Sequence, residues 1–155
     1  MQKVSKMITI DQIKQLRKEI GVSPTEIKKA LEQSQGDIEK AKELLRTWGK
    51  TLADKKLNRE TKQGVIETYI HSNLKTGVLL DIRCESDFVA KSREFKNLAH
   101  EICLQITAMN PEETIALMSQ LWIKDDTKTI KNLIQETTAK IGENIEVKRF
   151  TRYEI

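Results

Sequence analysis

Four side chains in the sequence are of the types that bind zinc: Cys84, Cys103, His71 and His100, which include every cysteine and histidine of the chain. His100 and Cys103 lie three positions apart on a predicted helix, so these two could face one centre. The other two belong to separate predicted strands, and no cysteine pair has the spacing of a zinc knuckle. We therefore expect no metal site, with both cysteines in the core and both histidines at the surface or at helix caps.

Side chains for covalent or hydrolytic chemistry form no recognisable pattern. The sequence has no Ser/His/Asp arrangement, no nucleotide-binding loop and no HExxH motif. The paired carboxylates Asp125 and Asp126 fall in a predicted polar turn. We expect a protein that is not an enzyme and that has no cofactor.

An acidic residue beside an aromatic one, Asp87-Phe88, lies where a predicted strand turns into a helix. Two interpretations remain open for it. Phe88 and Val89 could cover the start of the helix, with Asp87 favoured by the helix dipole. Alternatively, the pair could be presented to a partner protein.

The charge balance gives little support for nucleic-acid binding. The net charge is +4, from 27 basic and 23 acidic residues that are interspersed along the chain. Seven aromatic residues are too few for an obvious base-stacking platform. No apolar run approaches the roughly 20 residues of a membrane span, and residues 1–7 are too short and polar for a secretory signal. We expect a cytoplasmic protein that binds neither nucleic acid directly nor membranes.

Residues 1–49 are predicted to form a bundle of three short helices. Thr9 with Gln12 and Ser23 with Glu26 have the spacing of capping boxes, and Asp37 can cap the third helix. Glycines are expected to end the first and third helices, at positions 21 and 49. The apolar residues recur at helical spacing; they include Ile10, Ile13, Leu16, Ile20, Ile27, Ala30, Leu31, Ile38, Ala41, Leu44, Leu45 and Trp48.

Residues 50–63 contain seven charges and are predicted to be a charged linker or a connecting helix. Residues 64–155 then change period. Two aliphatic runs, Val65–His71 and Val78–Cys84, flank a predicted hairpin turn, and a third strand is expected over Ile145–Tyr153. Between them we expect a long helix with Phe95 to Met109 on its inner face, a short helix from Asn110, and a helix from Thr129 to Gly142. The predicted fold class is α+β, with helices covering a three-stranded, antiparallel sheet.

Several segments, in order along the chain, resemble the elongation factor Ts family. Cys84-Glu85-Ser86-Asp87-Phe88-Val89-Ala90 is similar to the family's Thr-Asp-Phe-Val-Ala signature after a strand ending in Cys-Glu, with serine in place of threonine. The helix after it, beginning Glu94-Phe95-Lys96, and Ile141-Gly142-Glu143-Asn144-Ile145 near the C-terminus are similar as well. Lys28-Lys29-Ala30-Leu31-Glu32 resembles the family's ubiquitin-associated-type (UBA-like) bundle.

The resemblance implies a bacterial guanine nucleotide exchange factor that binds the GTPase elongation factor Tu, GDP-bound and nucleotide-free. It implies that Ser86, Asp87, Phe88 and Val89 disturb the Mg²⁺ and phosphate site of that partner. Further partner contacts are expected at Ala90 and at Gly21 and Val22. The residues 64–155 would be a single core repeat of the family.

Two departures from the family pattern matter. The loop Ile20-Gly21-Val22-Ser23-Pro24 replaces the usual Thr-Gly-Ala-Gly-Met, and this chain has room for one core repeat where long members have two. Pairing into a homodimer would restore a two-lobed core. A different function also fits: a UBA-like module joined to an α+β domain that binds RNA or protein, which the basic segment 50–63 favours. Filter binding against salt would separate the two, because phosphate contacts weaken steeply with salt.

Overall fold

The structure, a computed structural model, describes residues 8–155, and the prediction about a secretory signal in residues 1–7 lies outside them. The described residues form two compact units, residues 8–52 and Ala53–Ile155. The fold is α+β, as predicted, with a three-stranded antiparallel sheet. Within the described range, no helix is both long enough and apolar enough to cross a membrane.

The first unit contains α1 (Ile10–Ile20), α2 (Pro24–Gln33) and most of α3 (Ile38–Lys56), whose last four residues belong to the second unit. Both predicted capping boxes are confirmed, since Thr9 and Ser23 each exchange hydrogen bonds with the residue three positions on. Asp37 accepts from the amide of Lys40 at 3.1 Å, as expected of a cap. The core consists of buried residues from all three helices: Leu16, Ile27, Ala30, Leu31, Ala41 and Leu45.

Two predictions about these helices are wrong. Ile10 is exposed, because it occupies the first helical position, outside the packed stripe. Gly49 does not end α3, which continues to Lys56. A single interior glycine costs only about 1 kcal/mol relative to alanine, and good helix formers such as Leu52 and Ala53 follow it. The predicted domain boundary at residue 49 stays a prediction.

The second unit has a sheet in the order β1-β2-β5, with every pair antiparallel. Its strands are β1 (Gln63–Ile70), β2 (Thr76–Cys84) and β5 (Glu146–Glu154). The remaining elements are α4 (Asp87–Ala90), α5 (Arg93–Met109), α6 (Thr114–Ser119), β3 (Leu121–Trp122), β4 (Asp125–Thr129) and α7 (Ile130–Ile141). On one face of the sheet, α5 packs against β1 and β2 and α6 against β5, while α7 packs against α5.

Alternation in β2 separates the two faces of the sheet. Val78, Leu80, Ile82 and Cys84 are buried toward the helices, whereas Leu79 is half exposed on the other face. The facing surface of α5 supplies buried Phe95, Leu98, Ala99, Ile102, Cys103 and Ile106. This packing is the core that holds the segment between β2 and α5 in place.

Three details differ from the predictions for this unit. Met109 is half exposed, because it is the last residue of α5, and the chain leaves the helix at Asn110 in the left-handed conformation. The short helix begins at Thr114 rather than at Asn110. Asp125 and Asp126 belong to strand β4, which pairs with β3 in a small second sheet that the sequence did not predict.

Candidate functional site

The segment between β2 and α5 is a single helical turn, α4, set between two serine caps. The amide of Val89 donates to Ser86 Oγ at 3.3 Å, and the amide of Phe95 donates to Ser92 Oγ at 3.3 Å. Each serine lies directly before a helix, and its side chain satisfies a helix N–H that has no partner within the helix. The turn is therefore a short, defined unit between a strand and a long helix.

Side chains of this turn point in two opposite directions. Val89 and Ala90 are buried in the core of the second unit, at 6% and 2% exposure. Phe88 is 85% exposed, and Asp87 is exposed beside it. Two inward residues anchor the turn, so the aromatic ring and the carboxylate are presented outward from a fixed base. We call the pair Asp87 and Phe88 the tip.

Asp87 makes an ion pair within the tip. Its Oδ2 lies 2.5 Å from Lys91 Nζ, one helical turn later, and both side chains are exposed. Exposed pairs of this kind contribute little to stability, on the order of 0.3–0.5 kcal/mol. Asp87 is thus held loosely and could exchange Lys91 for a partner's group at small cost.

The base of the turn is fixed by a distant residue, Glu143, in the loop between α7 and β5. Glu143 Oε2 accepts hydrogen bonds from the amides of Glu85 and Ser86, at 3.2 and 2.9 Å. Glu143 Oε1 accepts from the hydroxyl of Ser86 at 2.6 Å. In the opposite direction, the backbone amide of Asn144 donates a hydrogen bond to Glu85 Oε1 at 2.6 Å. We call Glu85, Ser86, Glu143 and Asn144 the clasp.

Both cysteines are buried, as predicted, and both are free. Cys84 precedes the turn and donates its thiol to the carbonyl of Ser86 at 3.2 Å. Burial raises the pKa of the Cys84 thiol to about 11, and nearby Glu143 adds to the effect. Burial likewise raises the pKa of Cys103 to about 12. Thiols with such pKa values hold little thiolate at neutral pH, so neither is suited to act as a nucleophile.

The four candidate zinc ligands do not come together. His71 and His100 are exposed and lie against Tyr69 instead, with His71 Nδ1 3.2 Å from the Tyr69 hydroxyl and His100 edge-on to the ring. Throughout residues 8–155 no three His, Cys, Asp or Glu side chains are grouped as metal ligands.

The other two predicted contact residues belong to the first unit. Gly21 ends α1 in the left-handed conformation, at φ 76°, and donates its amide to the carbonyl of Arg17. Val22 is partly buried against the core of that unit. The structure therefore gives each a local structural role, and their contact with a partner stays a prediction.

The clasp is the part of the site that sequence reasoning missed. Ser86 and Glu143 are 57 positions apart, so no local spacing joins them. One signal for it was available in the sequence. Glu143 and Asn144 are polar residues directly after Gly142, the glycine that ends a helix, and they have no helix to cap.

Comparisons with known proteins indicate one family along almost the whole chain. The family model described as elongation factor TS matches residues 8–112 and 85–155. Similar proteins called elongation factor Ts occur in Thermotoga neapolitana, at 41% identity over 96% of this chain and 97% of the relative. Relatives of the same name occur in Coprothermobacter proteolyticus, at 38% identity over 94% and 97%, and in Rubrobacter xylanophilus, at 35% over 94% and 98%. The first alignment runs over 191 positions, more than the 155 residues here, so that relative has residues with no counterpart in this chain.

Proposed function

The chain belongs to the elongation factor Ts family, and we propose that this translation elongation factor promotes the release of GDP from the GTPase elongation factor Tu. It acts in the cytoplasm, as a binding protein without chemical catalysis. Its partner is engaged in the GDP-bound state and retained in the nucleotide-free state. The family membership supports the partner, and the tip supports the mode of action.

Exchange of this kind needs only differential binding. A GTPase holds GDP through a phosphate-binding loop and through Mg²⁺ that contacts the phosphate oxygens. A factor that binds better to the state with a loosened Mg²⁺ site weakens the binding of GDP, and GDP in turn weakens the binding of the factor. A coupling of a few kcal/mol suffices, because each 1.4 kcal/mol is about tenfold in affinity.

One observation carries the proposal: Phe88 is 85% exposed on a turn whose other side is buried. A large apolar side chain held outward on an anchored turn has the properties of an interface anchor. In the proposed complex the ring inserts near the partner's Mg²⁺ site, and Asp87 competes in the surrounding polar network. Ser86 and Val89 hold the tip, and Ala90, Gly21 and Val22 lie in or near further contact segments. The UBA-like bundle of residues 1–49 docks on the same GTPase domain.

Replacement of the ring tests this mechanism. We expect Phe88→Ala to retain binding to elongation factor Tu but to lose most of its exchange activity, measured by stopped-flow release of fluorescent GDP. Ile115→Ala is the matched control, because Ile115 is also a strongly exposed apolar residue, in α6. A wild-type release rate in Phe88→Ala would end the proposed mechanism.

We also propose that two copies of this single core repeat pair through the outer face of the sheet, the face without helices. Three exposed apolar side chains of this face form a patch at the end of the sheet near the hairpin, Ile70 from β1, Leu79 from β2 and Tyr153 from β5, while exposed Ile66 lies farther along β1. Ile70, Gly77 and Tyr153 occupy one row across the three strands, and Leu79 lies in a row close by. Exposed patches of this kind mark interaction surfaces, and a two-fold pair would bury the patch against itself.

A further inference from the structure

We propose that Glu143 is a positioning residue for the tip, and that exchange activity depends on the hydrogen bonds its carboxylate makes at the base of α4. This inference rests on the proposed function. Glu143 acts through Ser86 and the backbone of Glu85, while Phe88 makes the contact with the partner.

The helical turn α4 is weak by itself. Four residues make one turn, and an isolated helical turn is unstable in water because nucleation costs more than the first hydrogen bond returns. The turn persists only where its ends and its inner face are held. Val89 and Ala90 hold the inner face, and Ser86 caps the start.

Ser86 caps the turn through its hydroxyl oxygen, and Glu143 holds that hydroxyl in place. The hydroxyl of Ser86 donates to Glu143 Oε1, which leaves its oxygen lone pairs free to accept from the amide of Val89. The other carboxylate oxygen holds the amides of Glu85 and Ser86. Hydrogen bonds to an ionised acceptor are shorter and stronger than neutral ones.

The clasp is itself anchored. Glu85 Oε1 holds the amide of Asn144, and the side-chain amide of Asn144 donates to the carbonyls of Leu57 and Arg59 at 3.2 and 2.8 Å. Glu143 thus binds the backbone at Glu85 and Ser86, and Glu85 binds the backbone of Asn144, the residue after Glu143. A ring presented from such a base loses little further conformational entropy when it inserts into a partner.

The experiment compares Glu143→Ala with Glu143→Gln in stopped-flow release of fluorescent GDP from elongation factor Tu, at increasing factor concentration. For Glu143→Ala we expect the maximal rate to fall about tenfold, as for a lost set of charged hydrogen bonds. The half-saturating concentration should stay within about twofold, because the rest of the interface is unchanged. Glu143→Gln keeps an acceptor for the two amides and an NH₂ that can reach Ser86 Oγ, so it should restore most of the rate.

Amide hydrogen exchange gives a readout that does not depend on activity. Exchange at Glu85, Ser86 and Val89 should accelerate in Glu143→Ala and stay near wild type in Glu143→Gln. The matched control is Glu112→Gln, at an exposed glutamate that makes no hydrogen bond or ion pair within residues 8–155, and which should change neither measurement.

Failure of this inference is distinct from failure of the proposed function. A wild-type maximal rate in folded Glu143→Ala, with Phe88→Ala inactive, would overturn the positioning role alone; full activity in both would overturn the mechanism at the tip. An equal loss in Glu143→Gln and Glu143→Ala would also overturn the role, since the hydrogen bonds that glutamine can still make would then not support the rate. If Glu143→Ala does not fold, Glu143→Met, which keeps the length of the side chain but neither oxygen, replaces it in the comparison with Glu143→Gln, and equal rates in these two variants would overturn the inference.

Discussion

Phe88 and Phe95 lie seven positions apart and have opposite environments. Phe88 is 85% exposed, whereas Phe95 has no exposed surface and packs in the core of the second unit. We expect Phe88→Ala to change the free energy of unfolding by less than about 0.5 kcal/mol, as at other exposed positions. Phe95→Ala should lower it by about 3–5 kcal/mol through cavity formation. Urea unfolding followed by circular dichroism measures both, and a large destabilisation by Phe88→Ala would mean that the ring packs against its own chain.

The buried thiols predict how stability depends on alkaline pH. The folded-state pKa values of Cys84 and Cys103, about 11 and 12, lie above the value of about 8.5 expected in the unfolded chain. Above pH 8.5 the unfolded chain therefore releases thiol protons that the folded chain retains, so stability is full below that pH and falls as the pH rises toward 11. The slope is at most about 1.4 kcal/mol per pH unit for each thiol.

Urea unfolding at pH 8, 9 and 10 checks this dependence on the thiols. The double variant Cys84→Ala/Cys103→Ala serves as the reference, because lysine and tyrosine titrate equally in both proteins. The wild-type protein should lose stability more steeply than the variant as the pH rises. Parallel slopes would show that the thiols ionise as easily in the folded protein as in the unfolded chain.

At the scale of elements, two glycines of the β1–β2 hairpin make different demands. A Cβ at Gly64 would lie 2.2 Å from the carbonyl oxygen of Ile82 and 2.8 Å from the Cα of Arg83, both backbone atoms that cannot move freely. A Cβ at Gly77 would lie 2.8 Å from Ile70 Cδ1, the end of a side chain that can rotate away, and in ordinary contact, at 3.7 Å, with the carbonyl oxygen of Tyr69. We expect Gly64→Ala to destabilise the protein by about 1–3 kcal/mol and Gly77→Ala to cost less. Thermal unfolding compares the two, and equal losses would contradict this account of the hairpin.

Local signals allowed most elements to be predicted. The capping boxes at Thr9 and Ser23 and the cap at Thr129 fix three helix starts, and each depends on residues three positions apart. The alternation of inward and outward side chains along β2 is likewise a local signal. The extension of α3 past Gly49 was missed because a glycine alone does not terminate a helix when helix-forming residues follow.

Elements that depend on distant contacts were not predicted. The strand β3 has two residues and β4 is mostly polar, so neither shows the alternation that identifies a strand. In the structure, buried Gln105 of α5 holds this hairpin, accepting from the amide of Ile123 and donating to the carbonyl of Leu121. The clasp was missed for the same reason. Asp87 and Phe88 could be proposed from their types, whereas Glu143 required the fold.

At the scale of the whole molecule, the chain has a tip on one side of its sheet module and an uncovered face on the sheet itself. The outer face changes character along its length. Near the hairpin it is apolar, and farther along Asp81 lies between Arg83 and Arg149. Hydrogen bonds from Arg83, together with the positive charges of both arginines, hold the pKa of the Asp81 carboxyl below its usual range. A partner that covers the apolar end must bury its apolar surface and match Lys75 and Glu154, which line the same depression as Ile70, Leu79 and Tyr153. A second copy satisfies this requirement, because the same apolar end faces itself across a two-fold axis.

A lysine at the centre of the patch tests the proposed pairing. In Leu79→Lys, burying the new charge in a two-fold interface would place two lysines close together without partners, and pairing should be lost. Met109→Lys is the matched control, because Met109 is half exposed to the same degree as Leu79 but lies at the end of α5. By light scattering we expect the wild type and Met109→Lys at twice the 17.9 kDa chain mass, and Leu79→Lys at one chain mass. A monomeric wild type, or a dimeric Leu79→Lys, would show that the outer face is not the surface through which two copies pair.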